Sequence, residues 1–152
     1  MVRIFLIGFF ILSAGSQLSG CATAANGKAL QASVKGFNEN LRWKRFTGAA
    51  TFVPSKERNK FIAHYLGLEK DLFIQNLEIR NVHLIKPTTE DSAKEAVQKA
   101  QVLVMAEYYI LPSTVVKRQP VTQDWEFRNG IWQMVESNFD FAKAGYSSSH
   151  PD

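Results

Sequence analysis

Apolar residues first settle into a regular pattern at Leu30, Val34, Phe37 and Leu41, spaced by four, three and four. That spacing keeps them on one face of an α-helix. The pattern predicts an amphipathic helix from Lys28 through Trp43, Phe46, Ala49 and Ala50 to about Phe52, with Gly36 and Gly48 weakening its continuity. Pro54 breaks it. Ser55 is positioned as the N-cap of a second helix, with Glu57 in its first turn, Phe61, Ile62, Tyr65 and Leu66 on its buried side, and Gly67 closing it.

From Leu72 the period falls to two. Leu77 and Ile79 alternate with Glu78 and Arg80, and the phase then slips at Asn81 so that Val82 and Leu84 flank His83. A one-residue slip in such a pattern predicts a β-bulge. Residues 86–94 form a polar loop. A second strand follows over 97–111, with Val102, Val104, Ala106, Tyr108 and Ile110 on one face and Leu103, Met105 and Tyr109 on the other, so it should be central. Pro112 ends it. A third strand from about Val115 to Arg128 carries Pro120, which belongs on an edge or at a bulge. The Asn129-Gly130 pair between alternating residues predicts a type I′ hairpin. Counting outwards pairs Arg128 with Ile131, Phe127 with Trp132 and Trp125 with Met134, which gathers two Trp, a Phe and a Met on one face.

Helices followed by a bent antiparallel meander define an α+β domain, with the helices on one face of a curved sheet of about four strands. In this order of elements, in the bulged first strand and in the closing Trp125…Asn129-Gly130-Ile131-Trp132 hairpin, residues 29–137 resemble the NTF2-like (cystatin-superfamily) architecture. The resemblance implies a cone between sheet and helices that holds a small molecule or an active site in many relatives and is filled or used for dimerisation in others. The fold alone therefore assigns no function.

Ahead of the helices stand a positive start at Arg3, an apolar run from Ile4 to Leu12 and a small, polar stretch to Gly20. This is the layout of a secretory signal peptide, too short to span a bilayer. It ends in Leu18-Ser19-Gly20-Cys21, which resembles the lipobox of bacterial lipoproteins. The resemblance implies cleavage before Cys21, a diacylglyceryl thioether on its sulfur and an N-linked acyl chain such as palmitate. More than one chain anchors stably, where a single one holds only marginally. Ala22 follows where, by the same resemblance, an aspartate favours inner-membrane retention, and this points to the outer membrane. A soluble secreted protein cut near Ala25 is the other reading. Cys21 is the only cysteine, and a free thiol is unusual in an oxidising compartment unless its sulfur is occupied. The expected organisation is a signal peptide over 1–20, an acylated N-terminus and short tether over 21–27, the α+β domain over 28–137 and a flexible tail over 138–152.

With 152 residues, 45% of them hydrophobic and 21% charged, the chain has the composition of one ordinary globular domain. The part after the signal is long enough to bury roughly two-thirds of its surface without disulfides or metals. Removing residues 1–20 takes away only Arg3 among the charged side chains, leaving 17 basic against 14 acidic. Eight of the cations lie between Lys28 and Lys60, namely Lys28, Lys35, Arg42, Lys44, Arg45, Lys56, Arg58 and Lys60, against only Glu39 and Glu57. Such asymmetry marks either solvated helix faces or contact with an anionic surface, here the membrane or another envelope surface. Trp43 and Phe46 interleave these cations as they would on a nucleic-acid surface, but export removes that partner and no nucleic acid is expected.

Candidate chemistry is sparse. His64, His83 and His150 stand at no metal-ligand spacing from one another or from Cys21, so no metal and no cofactor is expected. His64 reads as a half-exposed helix residue, and His83 points away from Val82 and Leu84. After residue 20 there is neither a Gly-x-Ser-x-Gly elbow nor a phosphate-cradling glycine loop. What remains is a proton-transfer set of the kind some NTF2-like isomerases use, a tuned carboxylate with a tyrosine hydroxyl, for which Glu107, Tyr108, Tyr109 and Asp124 are the candidates. Tyr108 and Tyr109 face opposite ways, so only one can look into a cone. Glu107 shares a face with Leu103 and Met105, and pairing with Arg80 or Arg118 is its alternative fate. Two functions stay open at this level. One is a membrane-anchored envelope module that binds an envelope protein or a small apolar ligand without catalysis; the other is a cone-pocket isomerase or dehydratase. The sequence leaves the oligomeric state undefined.

Overall fold

The computed structural model describes residues 20–85, 97–138 and 141. All but the last residue of the expected signal peptide, the polar loop after Ile85 and nearly all of the expected tail lie outside the described residues. Among the described residues three helices and a short 3-10 turn precede four strands: α1 (Gly20–Arg42), α2 (Phe46–Ala50), the turn Ser55–Glu57, α3 (Arg58–Leu68), then β1 (Leu72–Ile85), β2 (Gln98–Ile110), β3 (Lys117–Arg128) and β4 (Ile131–Ser137). The strands form one antiparallel sheet in the order β1-β2-β3-β4. The helices pack on one of its faces, as the α+β reading expected.

The stripe Leu30, Val34, Phe37 and Leu41 is buried against the inner face of the sheet, where Ala100, Val102, Val104, Ala106 and Tyr108 of β2 meet it. Gly36 sits inside α1 without breaking it, because the Phe52 ring lies against it; an added Cβ would stand 2.7 Å from the ring edge. Backbone helicity also reaches back to Gly20, so residues 22–27, expected as a tether, belong to α1.

The first helix does not run on to Phe52. Lys44 adopts a φ of 55°, the Arg45 N–H bonds the Asn40 carbonyl at 2.8 Å and the Lys44 N–H bonds that of Leu41 at 3.1 Å. This is a Schellman ending, here with lysine where glycine is usual. It redirects the chain into α2, which buries Phe46, Ala49 and Ala50.

Ser55 makes no capping bond. The chain enters α3 through the 3-10 turn, held by the Glu57 N–H on the Pro54 carbonyl and by Arg58, whose guanidinium donates to the carbonyls of Val53 and Thr51. Nor does Gly67 end the helix, since Leu68 packs on the core and carries α3 past it. Leu66 faces solvent at 52% exposure.

β1 carries two bulges rather than one, with register shifts between Ile74 and Asn76 and between Ile79 and Asn81. β2 is central, as expected, but among the described residues only one side of the sheet is covered, and Leu103 on the outer face is 38% exposed. Pro120 pairs with Met105 of β2 in the part of β3 that β4 does not reach, because β4 pairing begins at Gln123. That half of β3 is an edge, which is where proline is tolerated. In the hairpin, Asn129 and Gly130 take φ values of 52° and 79°, as a type I′ turn requires, and the register is the expected one. Phe141, assigned by sequence to the loose tail, is 3% exposed and stands edge-on to Tyr108 with ring centroids 5.0 Å apart. An aromatic of that size gains too much by burial to be left in solvent when the core is within reach.

Candidate binding cleft

The space between sheet and helices is filled with aromatic rings. Phe37 stands edge-on to Trp125 at 5.8 Å and tilts against Phe61 at 5.9 Å, while Tyr65 lies between Phe46, Phe61 and Phe141. Beside them an amide pair is buried. Gln123 donates from Nε2 to Asn38 Oδ1 at 2.9 Å, and Asn38 donates from Nδ2 to Gln123 Oε1 and to the Val34 carbonyl.

A cleft of about 560 Å³ opens at the margin of this core, between the 3-10 turn and α3 on one side and the end of the β3–β4 hairpin on the other. Its apolar wall is Val53, Pro54, Phe61, Tyr65 and Met134, and its charged rim is Lys56, Lys60 and Arg128 with Glu57 and Glu136. β4 is shaped for it. The register shift opposite Asp124 and Trp125 leaves Val135 as an extra residue, and such a bulge turns neighbouring side chains out of strict alternation, so Val135 and Glu136 both line the cleft. The Met134 N–H bonds the Phe52 carbonyl at 2.8 Å and pins this strand to the end of the α2 turn. His64 lines the cleft half-buried, edge-on to the Tyr65 ring. Sequence spacing could not have gathered these groups, which come from segments about seventy residues apart.

The candidates for proton transfer are not brought together. Glu107 lies on the outer face of the sheet and is paired with Arg118 at 3.2 Å, one of the two partners foreseen for it. Asp124 is on the same outer face and accepts a hydrogen bond from Gln101 Nε2 at 3.1 Å. Tyr109 is there as well, stacked on Phe73 at 4.9 Å. Tyr108 alone turns inward, donating to Gln119 Oε1 at 3.1 Å. His83 is exposed on the outer face opposite Gln101, and His150 lies outside the described residues. Among the described residues no group of three His, Cys, Asp or Glu could hold a metal ion, and no helix is long and apolar enough to cross a membrane.

Burial raises the pKa of Tyr108 above its usual value. The folded state therefore holds this proton more tightly than the unfolded chain does. The stability linked to it is fully present below about pH 10, the ordinary tyrosine pKa, and is lost as pH rises beyond it. Tyr108→Phe should flatten the alkaline fall in melting temperature above about pH 10; an unchanged alkaline limb would show that Tyr108 does not contribute to it.

The fold is thus an α+β domain with a four-stranded antiparallel meander covered by helices on one side and a cleft at the α3–β4 margin. No family model matches the chain, and no curated protein matches it in sequence. Among solved structures it is similar to a SEC-C motif containing protein from Rhodopseudomonas palustris, with a TM-score of 0.49 and 10% identity over 67% of this chain and 71% of that one.

Proposed function

We propose that this is a lipid-anchored protein of the bacterial envelope that binds a partner without catalysis. Its location is supported by the Leu18-Ser19-Gly20-Cys21 lipobox at the end of an apolar leader, with Ala22 favouring the outer membrane, facing the periplasm. The observation that carries its non-catalytic role is the aromatic filling of the interior by Phe37, Phe46, Phe61, Tyr65 and Trp125, in the place where an NTF2-like enzyme would keep an open pocket. The isomerase reading draws no support from Glu107 and Asp124, both engaged on the opposite side of the sheet from Tyr108. Binding is assigned to the cleft between α3 and β4, where an apolar wall under a charged rim suits an envelope protein segment or a small apolar ligand.

The anchor is tested by expressing the wild type and Cys21→Ala in a bacterial host fed labelled palmitate. The wild type should take up label and sediment with membranes until detergent releases it. Cys21→Ala should take up none and accumulate as the longer, uncleaved species. An unlabelled wild type, or a Cys21→Ala variant that reaches mature size in the membrane fraction, would remove the lipoprotein reading.

A further inference from the structure

The cations between Lys28 and Lys60 separate into two sets. Four have tasks within the fold. Lys44 donates to the Glu69 carbonyl and lies 4.0 Å from the centroid of the Phe73 ring, Arg58 donates to the carbonyls of Val53 and Thr51, and Lys56 and Lys60 line the cleft. The remaining four, Lys28, Lys35, Arg42 and Arg45, are exposed. Three of them are seven residues apart on α1. Seven residues are close to two turns, so these three drift by only about 20° per step and form a nearly straight row about 21 Å long. The row runs along the exposed side of α1, about 130° around the helix from the buried stripe of Leu30, Val34, Phe37 and Leu41. Glu39, which meets Lys35 at 3.7 Å, is the single acid on it.

The row ends at an exposed aromatic. Trp43 is 63% exposed, whereas Trp125 and Trp132 are buried, and the Arg42 guanidinium carbon lies 5.2 Å from its ring centroid. A straight line of cations ending in an exposed tryptophan has the chemistry of the bilayer interface, where the cations meet anionic headgroups and the indole lies among them.

We infer that α1 lies along the membrane surface, with Lys28, Lys35, Arg42 and Trp43 against the headgroups of an anionic phospholipid bilayer. The apolar face of α1 is committed to the sheet, so the contact is peripheral and rests on charge and one indole, unlike that of an inserted amphipathic helix. The inference rests on the anchor reading for proximity, because Cys21 falls in the first turn of the same helix. Geometry then decides the orientation. Arg42 is about 32 Å along the helix from Cys21, while charges at physiological ionic strength act over about 8 Å. An upright α1 would carry Arg42 and Trp43 out of range, and only a helix lying flat brings the whole row to the surface.

The test uses the full chain purified from membranes and reconstituted into phosphatidylcholine vesicles, with or without phosphatidylglycerol, carrying a headgroup-attached spin label that quenches tryptophan. Trp43→Phe supplies the background of the two buried indoles. Flotation reports the anchor, and quenching reports the face. The chain should float with both vesicle types, but Trp43 should be quenched only in the anionic ones. The quenching should vanish at high salt and in the Lys28→Glu, Lys35→Glu, Arg42→Glu triple variant, whose surface changes leave the melting temperature near that of the wild type.

Quenching of Trp43 that is equal in the two vesicle types, or that survives in the triple variant, would overturn the inference. A chain that fails to float with phosphatidylcholine overturns the anchor reading alone. Flotation with anionic vesicles then still tests the face, because each cation near such a surface contributes about fivefold to partitioning and the triple variant, which removes three cations and adds three acids, should bind at least about 100-fold more weakly; equal binding by the wild type and the triple variant would sink it.

Discussion

Replacing Trp132 by Ala should lower stability by about 3–5 kcal/mol, the usual cost of truncating a buried large aromatic. Trp132 is buried on β4, where its ring packs on Phe127 with centroids 5.4 Å apart and its Nε1 donates to the Asn26 carbonyl at 3.2 Å. One side chain thus joins the closing hairpin to the start of α1. The loss is a large fraction of the roughly 5–15 kcal/mol that holds a domain folded. Thermal unfolding followed by circular dichroism should show the midpoint falling by roughly 10–20 °C. Trp132→Phe keeps part of the apolar area but not the N–H donor, and should fall between the two. An unchanged midpoint for the alanine variant would mean that the hairpin does not close the core.

A second large effect is expected at the buried amide pair. Asn38→Leu removes a donor and an acceptor from Gln123 and leaves that amide buried at 3% exposure with its Nε2 bond to Asn38 gone. Stranding a buried polar group costs about 1–3 kcal/mol, to which a leucine that fits the asparagine site poorly adds strain. Combining Asn38→Leu with Gln123→Leu removes both amides, so part of the penalty should disappear. The double variant should be more stable than the sum of the single losses by about 1–2 kcal/mol, within the range that contacting residues show. Complete recovery is not expected, because Trp125 Nε1 donates to Gln123 Oε1 at 3.4 Å and would lose its acceptor. Strictly additive losses in urea unfolding would show that the two amides do not act as a unit.

Local chemistry made much of this fold readable from the sequence. The hairpin register follows from Asn129-Gly130 because that pair favours a type I′ turn between antiparallel strands, and a two-residue turn fixes the pairing as far as the bulge at Val135. The bulge at Arg80 showed as a slip in alternation. The one at Gln75 did not, because Phe73 stacks on Tyr109 outside the core and its apolar side chain hides the change of phase. The break after Arg42 was illegible for a similar reason. No glycine or proline marks it, and the left-handed Lys44 that makes it is engaged with Glu69 and Phe73, residues far along the chain.

The site was less legible than the fold. Asn38 stands four residues after Val34, and Gln123 alternates with Val121 and Trp125, a positional signal that the choice of candidate residues did not take up. Neither could be recognised as buried without knowing the other. The cleft is a product of tertiary packing between α3 and a bulged β4, and no local pattern encodes it.

The two irregularities of β1 bear on how copies of this protein coexist when crowded. β1 is an outer strand of the sheet, and an outer strand of fourteen residues is a long template for another chain to pair with. The extra residues Gln75 and Arg80 divide its ladder into regular runs of three, four and five residues. An incoming strand without matching bulges would lose register at each division, and its side chains would change faces every time. Glu78 and Arg80, ion-paired at 2.8 Å, place charge at the second interruption. Among the described residues, these two interruptions thereby make the longest outer margin of the sheet a poor seed for aggregation.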